Sequence, residues 1–374
     1  MTINISTVRY TGNSNMKKIS LIVCSLLLFF SSPLTARMIT DLGGRTLEVP
    51  DKIERVVALR GALSLICYLN LADRVVGVEH HETTHTSWVG SRGRSYRMAN
   101  PGLGDLPIIG SRNKPQPEKI IGVKPDIILL GSGGERLAEQ LERQTAIPVV
   151  IVEIGDLAGS KQRFYRSLQL IGKLCGAEKR GQAICDKIET QIGELACRTR
   201  NLSPTERKRV YIGGLQFKVA HGILGTSCSY PPFEMVNADN VVDKLTVNRK
   251  LIRGRFTIKK EIFVTLDPDI LFVCESGLSM VGKELDEPLY QNLKLRRSDR
   301  IYLLMPHYYG ADPATVLSEA WYVGKVLYPE RFSDIEIADV ADQLYTFFVG
   351  RPLYREMVEI FGGFTKLSEL KCPQ

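Results

Sequence analysis

Arg60 is the first residue of this chain whose type and position suggest ligand chemistry. It comes directly after the apolar run Arg55–Leu59, which has the composition of a buried strand. A charged group at such a place is seldom buried unless it is paired. Arg60 is therefore a candidate contact for carboxylate, catecholate or hydroxamate oxygens, through charge-assisted hydrogen bonds. A salt bridge to a neighbouring loop is the alternative.

Three histidines lie close together after the next apolar run, at His80, His81 and His85. If the local chain is helical, His81 and His85 lie one turn apart on the same face. Such a pair can bind a transition metal or complete the coordination of a chelated one. Independently of metal, His80 and His81 are candidate ligand contacts, and a polar loop that contains histidines is the alternative.

Other segments combine aromatic, basic and glycine residues in a similar way. The stretch from Trp88 to Arg97 is rich in arginines and rings, and Gly214–Gly222 places a histidine beside glycine. Tyr230–Glu234 contains two prolines between aromatic residues, so it predicts a stiff, apolar wall. The remaining candidate ligand contacts in these loops and in a later one are Trp88, Tyr96, Arg97, Phe217, Lys218, His221, Tyr230 and Tyr308. Ordinary loop packing is the alternative for each.

The apolar runs that precede these loops predict the architecture. They are continuous in Val, Ile and Leu without polar alternation, which is typical of parallel strands buried on both faces. The stretches Glu118–Gly134 and Glu261–Gly277 also repeat one pattern: a helical turn that starts at Glu, then Pro-Asp, an apolar strand and a glycine-containing loop. We therefore predict an α/β fold of two Rossmann-like lobes with parallel sheets. In such sheets a ligand lies beyond the carboxyl ends of the strands, and a cleft between lobes is its usual place.

Residues 161–204 predict the connection between the lobes. Apolar residues recur there at helical spacing, and Gly176 is a predicted helix stop. The second helix, over residues 177–200, would be about 36 Å long. We therefore predict a first lobe over 37–160, linker helices over 161–204 and a second lobe with a helical tail over 205–374.

The N-terminus has the pattern of a secretory leader. Met16-Lys17-Lys18 is followed by an apolar run from Leu21 to Phe30 and then by small residues up to Ala36. This run is too short to span a bilayer, so we predict a signal peptide over 1–36, cleaved after Ala36, and a periplasmic location. Export permits disulfides, but their pairing stays open because an odd number of cysteines remains after Cys24 is removed.

Composition excludes several classes of function. The chain has 374 residues, 44% hydrophobic and 24% charged, and a formal net charge of +8. Lysines and arginines alternate with acids, so no clustered footprint for nucleic acid is present. Motifs for a serine nucleophile elbow, a phosphate-binding loop and a zinc protease helix are also absent.

With these features the chain resembles the periplasmic binding proteins of ABC importers for ferric siderophores, haem and corrinoids. The resemblance rests on the leader, on the opening hairpin (Thr40, Asp41, Gly44, Arg45, Val49 and Pro50), on the Glu118–Leu130 unit and on the closing stretch from Asp312 to Glu330. It covers nearly all of residues 38–345. It implies two lobes joined by a single long helix, limited closure on ligand, and a monomer without an intrinsic cofactor.

The resemblance also implies partners and docking residues. In the family, one exposed acid on each lobe contacts the permease dimer, which a cytoplasmic ATPase drives. Glu135 matches the first of these acids by its place after the Pro-Asp strand, and Glu284 is the candidate for the second. The resemblance further implies that the loop from Trp88 to Arg97 borders the cleft and meets an anionic, partly aromatic chelate by stacking and cation–π contact.

The functional hypothesis is a non-enzymatic receptor that captures an iron chelate of the ferric siderophore type and delivers it to an inner-membrane permease. Haem, a corrinoid, a nickel or cobalt complex, and a molybdate-type oxyanion are the alternative ligands. An enzyme on a chelatase-like bilobal fold is the alternative class, since fold alone does not decide function.

Overall fold

Two four-stranded parallel sheets form the framework of the protein. The computed structural model describes residues 35–83, 93–131, 134–216, 221–247, 250–251, 254–306 and 312–370. In the first lobe the strand order is Val75–Gly77, Val56–Leu59, Ile127–Leu130 and Val149–Ile151. In the second it is Asp239–Asn240, Arg209–Gly213, Ile270–Cys274 and Ile301–Leu304. The prediction of two α/β lobes with parallel sheets is therefore confirmed.

The strands of these sheets and of four small hairpin-like pairs follow one another along the chain. They are β1 Ala36–Thr40, β2 Thr46–Pro50, β3 Val56–Leu59, β4 Val75–Gly77, β5 Gly110–Ser111, β6 Lys114–Pro115, β7 Ile127–Leu130, β8 Val149–Ile151, β9 Arg209–Gly213, β10 Gly225–Cys228, β11 Asp239–Asn240, β12 Thr246–Val247, β13 Lys250–Leu251, β14 Gly254–Thr257, β15 Ile270–Cys274 and β16 Ile301–Leu304.

Helices cover the sheets and connect the lobes. Those described are α1 Ala62–Tyr68, α2 Ser95–Ala99, α3 Pro117–Gly122, α4 Gly134–Thr145, α5 Lys161–Cys175, α6 Glu178–Thr199, α7 Pro231–Met235, α8 Lys260–Leu266, α9 Leu278–Leu285, α10 Lys294–Arg297, α11 Pro313–Leu327, α12 Ile337–Val349 and α13 Tyr354–Phe361. None of these helices combines the length and apolar character that a membrane crossing requires.

Both sheets are buried on their two faces, as the uninterrupted apolar strands predict. In β3, Val56 and Ala58 belong to one core cluster, whereas Val57 and Leu59 belong to another. In β15, Phe272 belongs to the same cluster as Val56, whereas Leu271 and Val273 belong to a third cluster. Side chains of a strand alternate between faces, so each strand must supply apolar residues to two cores.

The repeated unit is present in both lobes. In the first, α3 leads into β7, and in the second α8 leads into β15. Asp126 accepts hydrogen bonds from the backbone nitrogens of Glu54 and Arg55, at 2.7 and 2.8 Å, and so fixes the start of β3 beside β7. This is the loop-amide role that the Pro-Asp pair predicts.

The first-lobe core and the second-lobe core are continuous along one side of the molecule. A single cluster of buried residues includes Val56 of β3, Ile188 of α6, Phe272 of β15 and Leu317 of α11. The helix α6 spans 22 residues, or about 33 Å, and Gly176 before it has the left-handed conformation (φ 70°) predicted for a helix stop. The lobes therefore share packed side chains as well as the connecting helix.

The C-terminal tail, which contains α12 and α13, also packs differently from the prediction. The prediction placed this tail on the second lobe. Helix α12 packs against α11 of the second lobe, and it also contacts α1 and α2 of the first. Arg351, after α12, donates to the backbone oxygen of Met98 in α2, at 3.1 Å. The tail therefore bridges the lobes, because its apolar face covers helices from both.

Two further local predictions can be compared with the structure. The opening hairpin is confirmed, with Ala36 opposite Pro50 and Thr40 opposite Thr46. The apolar run over residues 107–110 also predicts a short strand. The structure reduces it to one bridge between Ile108 and Val78, after which the chain turns into the small β5-β6 hairpin.

Candidate functional site

The carboxyl ends of the first-lobe strands carry a group of buried charges. Arg60, directly after β3, has φ 55°, and its backbone nitrogen donates to Glu79 Oε2 at 2.8 Å. Glu79 follows β4 and is 2% exposed. Gly131, which follows β7, packs so closely on the Arg60 backbone oxygen that a Cβ there would lie 2.7 Å from it. The residues that follow the three neighbouring strands β3, β4 and β7 therefore lie close together at the edge of the sheet.

Glu82 is the centre of this group. It belongs to a short 3-10 turn, His80–Glu82, and is 2% exposed. Its Oε2 accepts from Arg94 Nη1 at 2.8 Å, and its Oε1 accepts from the Tyr96 hydroxyl at 2.8 Å. Arg97 Nε lies 3.5 Å from Oε2, and His81 Nε2 lies 3.3 Å from Oε1. We call the four residues His81, Glu82, Arg94 and Arg97 the charged cluster.

The carboxyls of this region differ in their pKa. Burial raises the pKa of Glu82, but the hydrogen bond from His81 and the charge of Arg94 outweigh burial and lower the pKa to about 2. Burial raises the pKa of Glu79 above its usual value, although His81 and the Arg60 backbone nitrogen act in the opposite direction. Glu82 is therefore the carboxyl of the pair that is held firmly in its ionised form.

Arg97 is buried without a full set of acceptors. The side chain is 7% exposed, and among the described residues neither Nε nor Nη1 has a hydrogen-bonding partner. The same is true of Arg60 Nε. Buried donors of this kind are normally hydrogen-bonded, so these nitrogens are available to the oxygens of a ligand.

The cluster lies where the two lobes meet. Helix α2, which carries Arg97, also carries Ser95, whose hydroxyl donates to Asp312 Oδ2 at 2.6 Å. Asp312 is the N-cap of α11 and accepts from the backbone nitrogen of Thr315. Because Asp312 follows the loop after β16, the carboxyl ends of the two sheets face each other across this contact.

The second lobe presents buried carboxyls at the same boundary. The Tyr230 hydroxyl donates to Glu319 Oε2 at 2.7 Å, and both residues are buried. Glu275 follows β15, and both of its carboxyl oxygens are buried without a hydrogen-bonding partner among the described residues. Burial raises the pKa of Glu275 well above its usual value, and the charge of Glu319 acts in the same direction. The second lobe therefore contributes buried carboxyls of its own.

The sequence-predicted ligand contacts fall into three groups. Arg60, His81, Tyr96 and Arg97 lie together around Glu79 and Glu82. Three others lie apart: His80 is exposed beside the cluster, His221 is half-buried against Gly225, and Tyr230 is inside the core of the second lobe. The remaining candidates, His85, Trp88, Phe217, Lys218 and Tyr308, lie outside the described residues.

The metal hypothesis remains a prediction, because His85 is not among the described residues. Within the described ranges, no group of three or more His, Cys, Asp or Glu residues is arranged to hold a metal ion. His81 already contacts Glu82.

The cysteines within the described ranges form no disulfide. They are Cys67, Cys175, Cys185, Cys197, Cys228 and Cys274.

The two predicted docking acids differ in their surroundings. Glu135 is exposed in the first turn of α4. Glu284 is half-buried, and its Oε2 accepts from the backbone nitrogen of Ile223 at 2.5 Å. The helix that corresponds to α4 in the second lobe, α9, has no acid in its first turn. Docking at Glu135 stays a prediction, and Glu284 supports a loop of its own lobe.

Sequence reasoning did not single out Glu79, Glu82 or Asp312. A signal for the first two is present, since Glu79 and Glu82 are three residues apart and so are Arg94 and Arg97. On helical turns this spacing places each pair on one face, and the two pairs have opposite charge. Asp312 lies 217 residues from Ser95, and no local pattern predicts that contact.

The sequence matches the family described as periplasmic binding protein over residues 56–308. The chain belongs to the periplasmic binding proteins. A curated relative, the molybdate-binding protein MolA of Haemophilus influenzae, is 25% identical over 88% of this chain and 96% of its own length. The substrate-binding lipoprotein YvrC of Bacillus subtilis is 21% identical over 79% of this chain and 87% of its own.

Solved structures agree on the fold of this binding protein. Molybdate-bound MolA superposes with a TM-score of 0.66 at 22% identity, covering 84% of this chain and 98% of MolA. The CeuE protein of Helicobacter pylori superposes with a TM-score of 0.61 at 15% identity, and the match covers 87% of this chain and 99% of CeuE.

The binding protein is thus the solute-binding component of an ABC importer, with a small molecule as its ligand and a permease and an ATPase as its partners. Its family is one of transport proteins. The expectation that it catalyses no reaction stays a prediction.

Proposed function

We propose that this binding protein captures a small tetrahedral oxyanion of the molybdate type between its lobes and delivers it to the permease. The observation that carries the proposal is Arg97, a buried guanidinium at the boundary of the lobes whose Nη1 has no partner among the described residues. Removing a cation from water is costly unless acceptors or an anion compensate it. The relationship to a molybdate-binding protein over most of both chains supports the same ligand.

The geometry of arginine suits such a ligand. A guanidinium presents its N–H groups in a planar fork that matches two oxygens of one anion. Arg97 offers Nε and Nη1, and Arg60 offers a second buried Nε. The oxyanion would therefore complete the hydrogen bonding of donors that already lie at the carboxyl end of the sheet.

A ferric chelate of the siderophore type is the second candidate. His81 favours it, because its side chain is 19% exposed at the edge of the charged cluster and an imidazole can complete the coordination of a chelated metal. The carboxylate or catecholate groups of such a chelate would contact the same arginines.

Thermal unfolding of purified residues 37–374 with a panel of ligands tests the two candidates. The panel contains molybdate, tungstate, ferric siderophores, haem, cobalamin and free divalent metals. At a hundredfold excess over its Kd, a ligand that binds the folded state alone stabilises it by about 2.7 kcal/mol. We expect molybdate and tungstate to raise the melting temperature and the other compounds to leave it unchanged.

The variant Arg97→Gln locates the effect. We expect it to abolish the shift with molybdate, because the guanidinium supplies the unpaired donors. Arg355→Gln is the matched control, since Arg355 is exposed on α13 and pairs there with Glu359. A shift with a ferric chelate in place of the oxyanions would establish the second candidate, and a molybdate shift that survives in Arg97→Gln would refute this site.

The leader is part of the same proposal. We propose that residues 1–36 are removed on export to the periplasm. Strand β1 begins at Ala36, so cleavage after Ala36 leaves Arg37–Thr40 paired in the opening hairpin. N-terminal sequencing of the protein from the periplasmic fraction tests this, with Arg37 as the expected first residue.

A further inference from the structure

Four side chains place a donor within 3.5 Å of the Glu82 carboxylate. Arg94 and Tyr96 each donate to it at 2.8 Å, one to each carboxyl oxygen. His81 and Arg97 approach the two oxygens to 3.3 and 3.5 Å. All four donors come from two short segments, the 3-10 turn and α2, so Glu82 fixes the position of one against the other.

The charges in the cluster do not balance. Two guanidiniums, those of Arg94 and Arg97, lie within 4 Å of the one carboxylate of Glu82. Glu79, the second carboxyl nearby, accepts from the Arg60 backbone nitrogen, and its Oε2 lies 3.8 Å from His81 Nε2. Glu82 is therefore the acid that contacts both arginines of the cluster.

We propose that Glu82 is a positioning residue that also determines specificity, because its single negative charge sets how strongly the site prefers a dianion over a monoanion of the same shape. This inference rests on the proposed oxyanion function. A fixed negative charge repels a dianion twice as strongly as a monoanion at the same place. Replacing that charge by a neutral group should therefore favour the dianion disproportionately.

Tungstate and perrhenate provide the probes, since both are tetrahedral oxyanions and they carry two charges and one charge respectively. Isothermal titration at pH 7.5 and constant ionic strength gives the ratio of Kd for perrhenate to Kd for tungstate. We expect this ratio to rise about tenfold in Glu82→Gln, the effect of one charge at a distance of several ångströms in a partly buried site. The absolute affinities change as well, because the guanidiniums lose their partner.

Tyr96→Phe is the matched control. It removes one hydrogen bond to Glu82 and leaves every charge in place, so both affinities should fall while the ratio stays at the wild-type value. A purely structural role for Glu82 would give the same result in Glu82→Gln. An unchanged ratio in that variant would therefore overturn the inference.

A double-mutant cycle keeps the inference testable if Glu82→Gln does not fold. Arg94→Gln should lower the ratio about tenfold, because it removes one positive charge. Adding Glu82→Gln also removes the negative charge of the carboxylate and should restore the ratio. A double variant that stays at the value of Arg94→Gln would contradict the role of the Glu82 charge.

The wild-type protein separates failure of this inference from failure of the proposed function. If it binds neither anion, the proposed function fails and this inference fails with it. If tungstate binds and the ratio is unchanged in Glu82→Gln, the inference alone is refuted.

Discussion

Glu275 shows how a single buried acid links the stability of this protein to pH. Burial raises its pKa well above the usual value, the nearby backbone of Gly363 acts in the opposite direction, and the charge of Glu319 raises the pKa further. The folded protein therefore holds this proton more tightly than the unfolded chain. Its stabilising contribution is complete below the unfolded pKa of about 4.3 and is lost as pH rises through the folded pKa.

We expect Glu275→Gln to be more stable than the wild-type protein at pH 8 and to lose this advantage towards pH 5. A glutamine fills nearly the same volume and carries no charge to bury. Urea unfolding between pH 5 and pH 8 measures the difference, with Glu359→Gln, an exposed acid on α13, as the control. A difference in stability that is the same at every pH would contradict the assignment.

Single residues also show which parts of the site could be predicted from the sequence. Arg60 and His81 were predicted because they follow apolar runs, and Tyr96 and Arg97 because they lie in a stretch rich in arginines and aromatic rings. Glu82 was not, because its importance comes from the donors that converge on it. Those donors come from a segment 12 to 15 residues further along the chain, and convergence of this kind depends on the fold.

Arg180 connects the helix α6, which joins the two lobes, to the helices α1 and α12. Its Nε donates to the backbone oxygen of Tyr68 in α1 at 2.9 Å, and its Nη2 donates to that of Phe347 in α12 at 2.5 Å. Its guanidinium also lies 4.7 Å from the centre of the Phe347 ring. One side chain of α6 thus joins a first-lobe helix to the tail.

We expect Arg180→Met to lower the free energy of unfolding by about 2 kcal/mol. The variant loses the hydrogen bonds to the backbone oxygens of Tyr68, Phe347 and Phe348 and keeps the aliphatic stem. Equilibrium unfolding in urea measures this. Arg200→Met is the comparison, since Arg200 is exposed just after the same helix, and it should differ little from the wild-type protein. Equal losses in the two variants would mean that Arg180 does not hold the tail in place.

The secondary elements were largely predictable, since their signals are local. The strands are uninterrupted apolar runs, and Gly176 and the two Pro-Asp pairs mark boundaries that the structure shows. The position of α12 was not predictable in the same way. Its apolar face indicates that it is covered, but the spacing of those residues does not indicate that helices of both lobes cover it.

Across the molecule, the ligand and the permease are predicted to engage different surfaces. The charged cluster lies at the boundary of the lobes, whereas Glu135 is exposed on α4. We expect Glu135→Arg to reduce the uptake of labelled molybdate in cells that depend on this protein, without changing the Kd of the purified protein. Reversing the charge replaces an attraction to a basic pocket by a repulsion.

Glu139→Arg is the matched control for this prediction, because Glu139 is exposed one turn further along α4. Uptake in that variant should stay close to the wild-type rate if the contact is specific to Glu135. Unchanged uptake in Glu135→Arg, at an equal amount of protein in the periplasm, would exclude Glu135 as a docking acid.

The tail that bridges the lobes has a consequence for the order in which this chain folds. Arg180 and Phe347 are 167 residues apart, and Ser95 and Asp312 are 217 residues apart. Helices α1 and α2 gain their covering layer only when the last quarter of the chain is present, and contacts this distant in sequence form slowly. A nascent chain that ends before residue 313 therefore carries a first lobe with an open apolar flank, and the protein reaches its native state only after its C-terminal helices have been made.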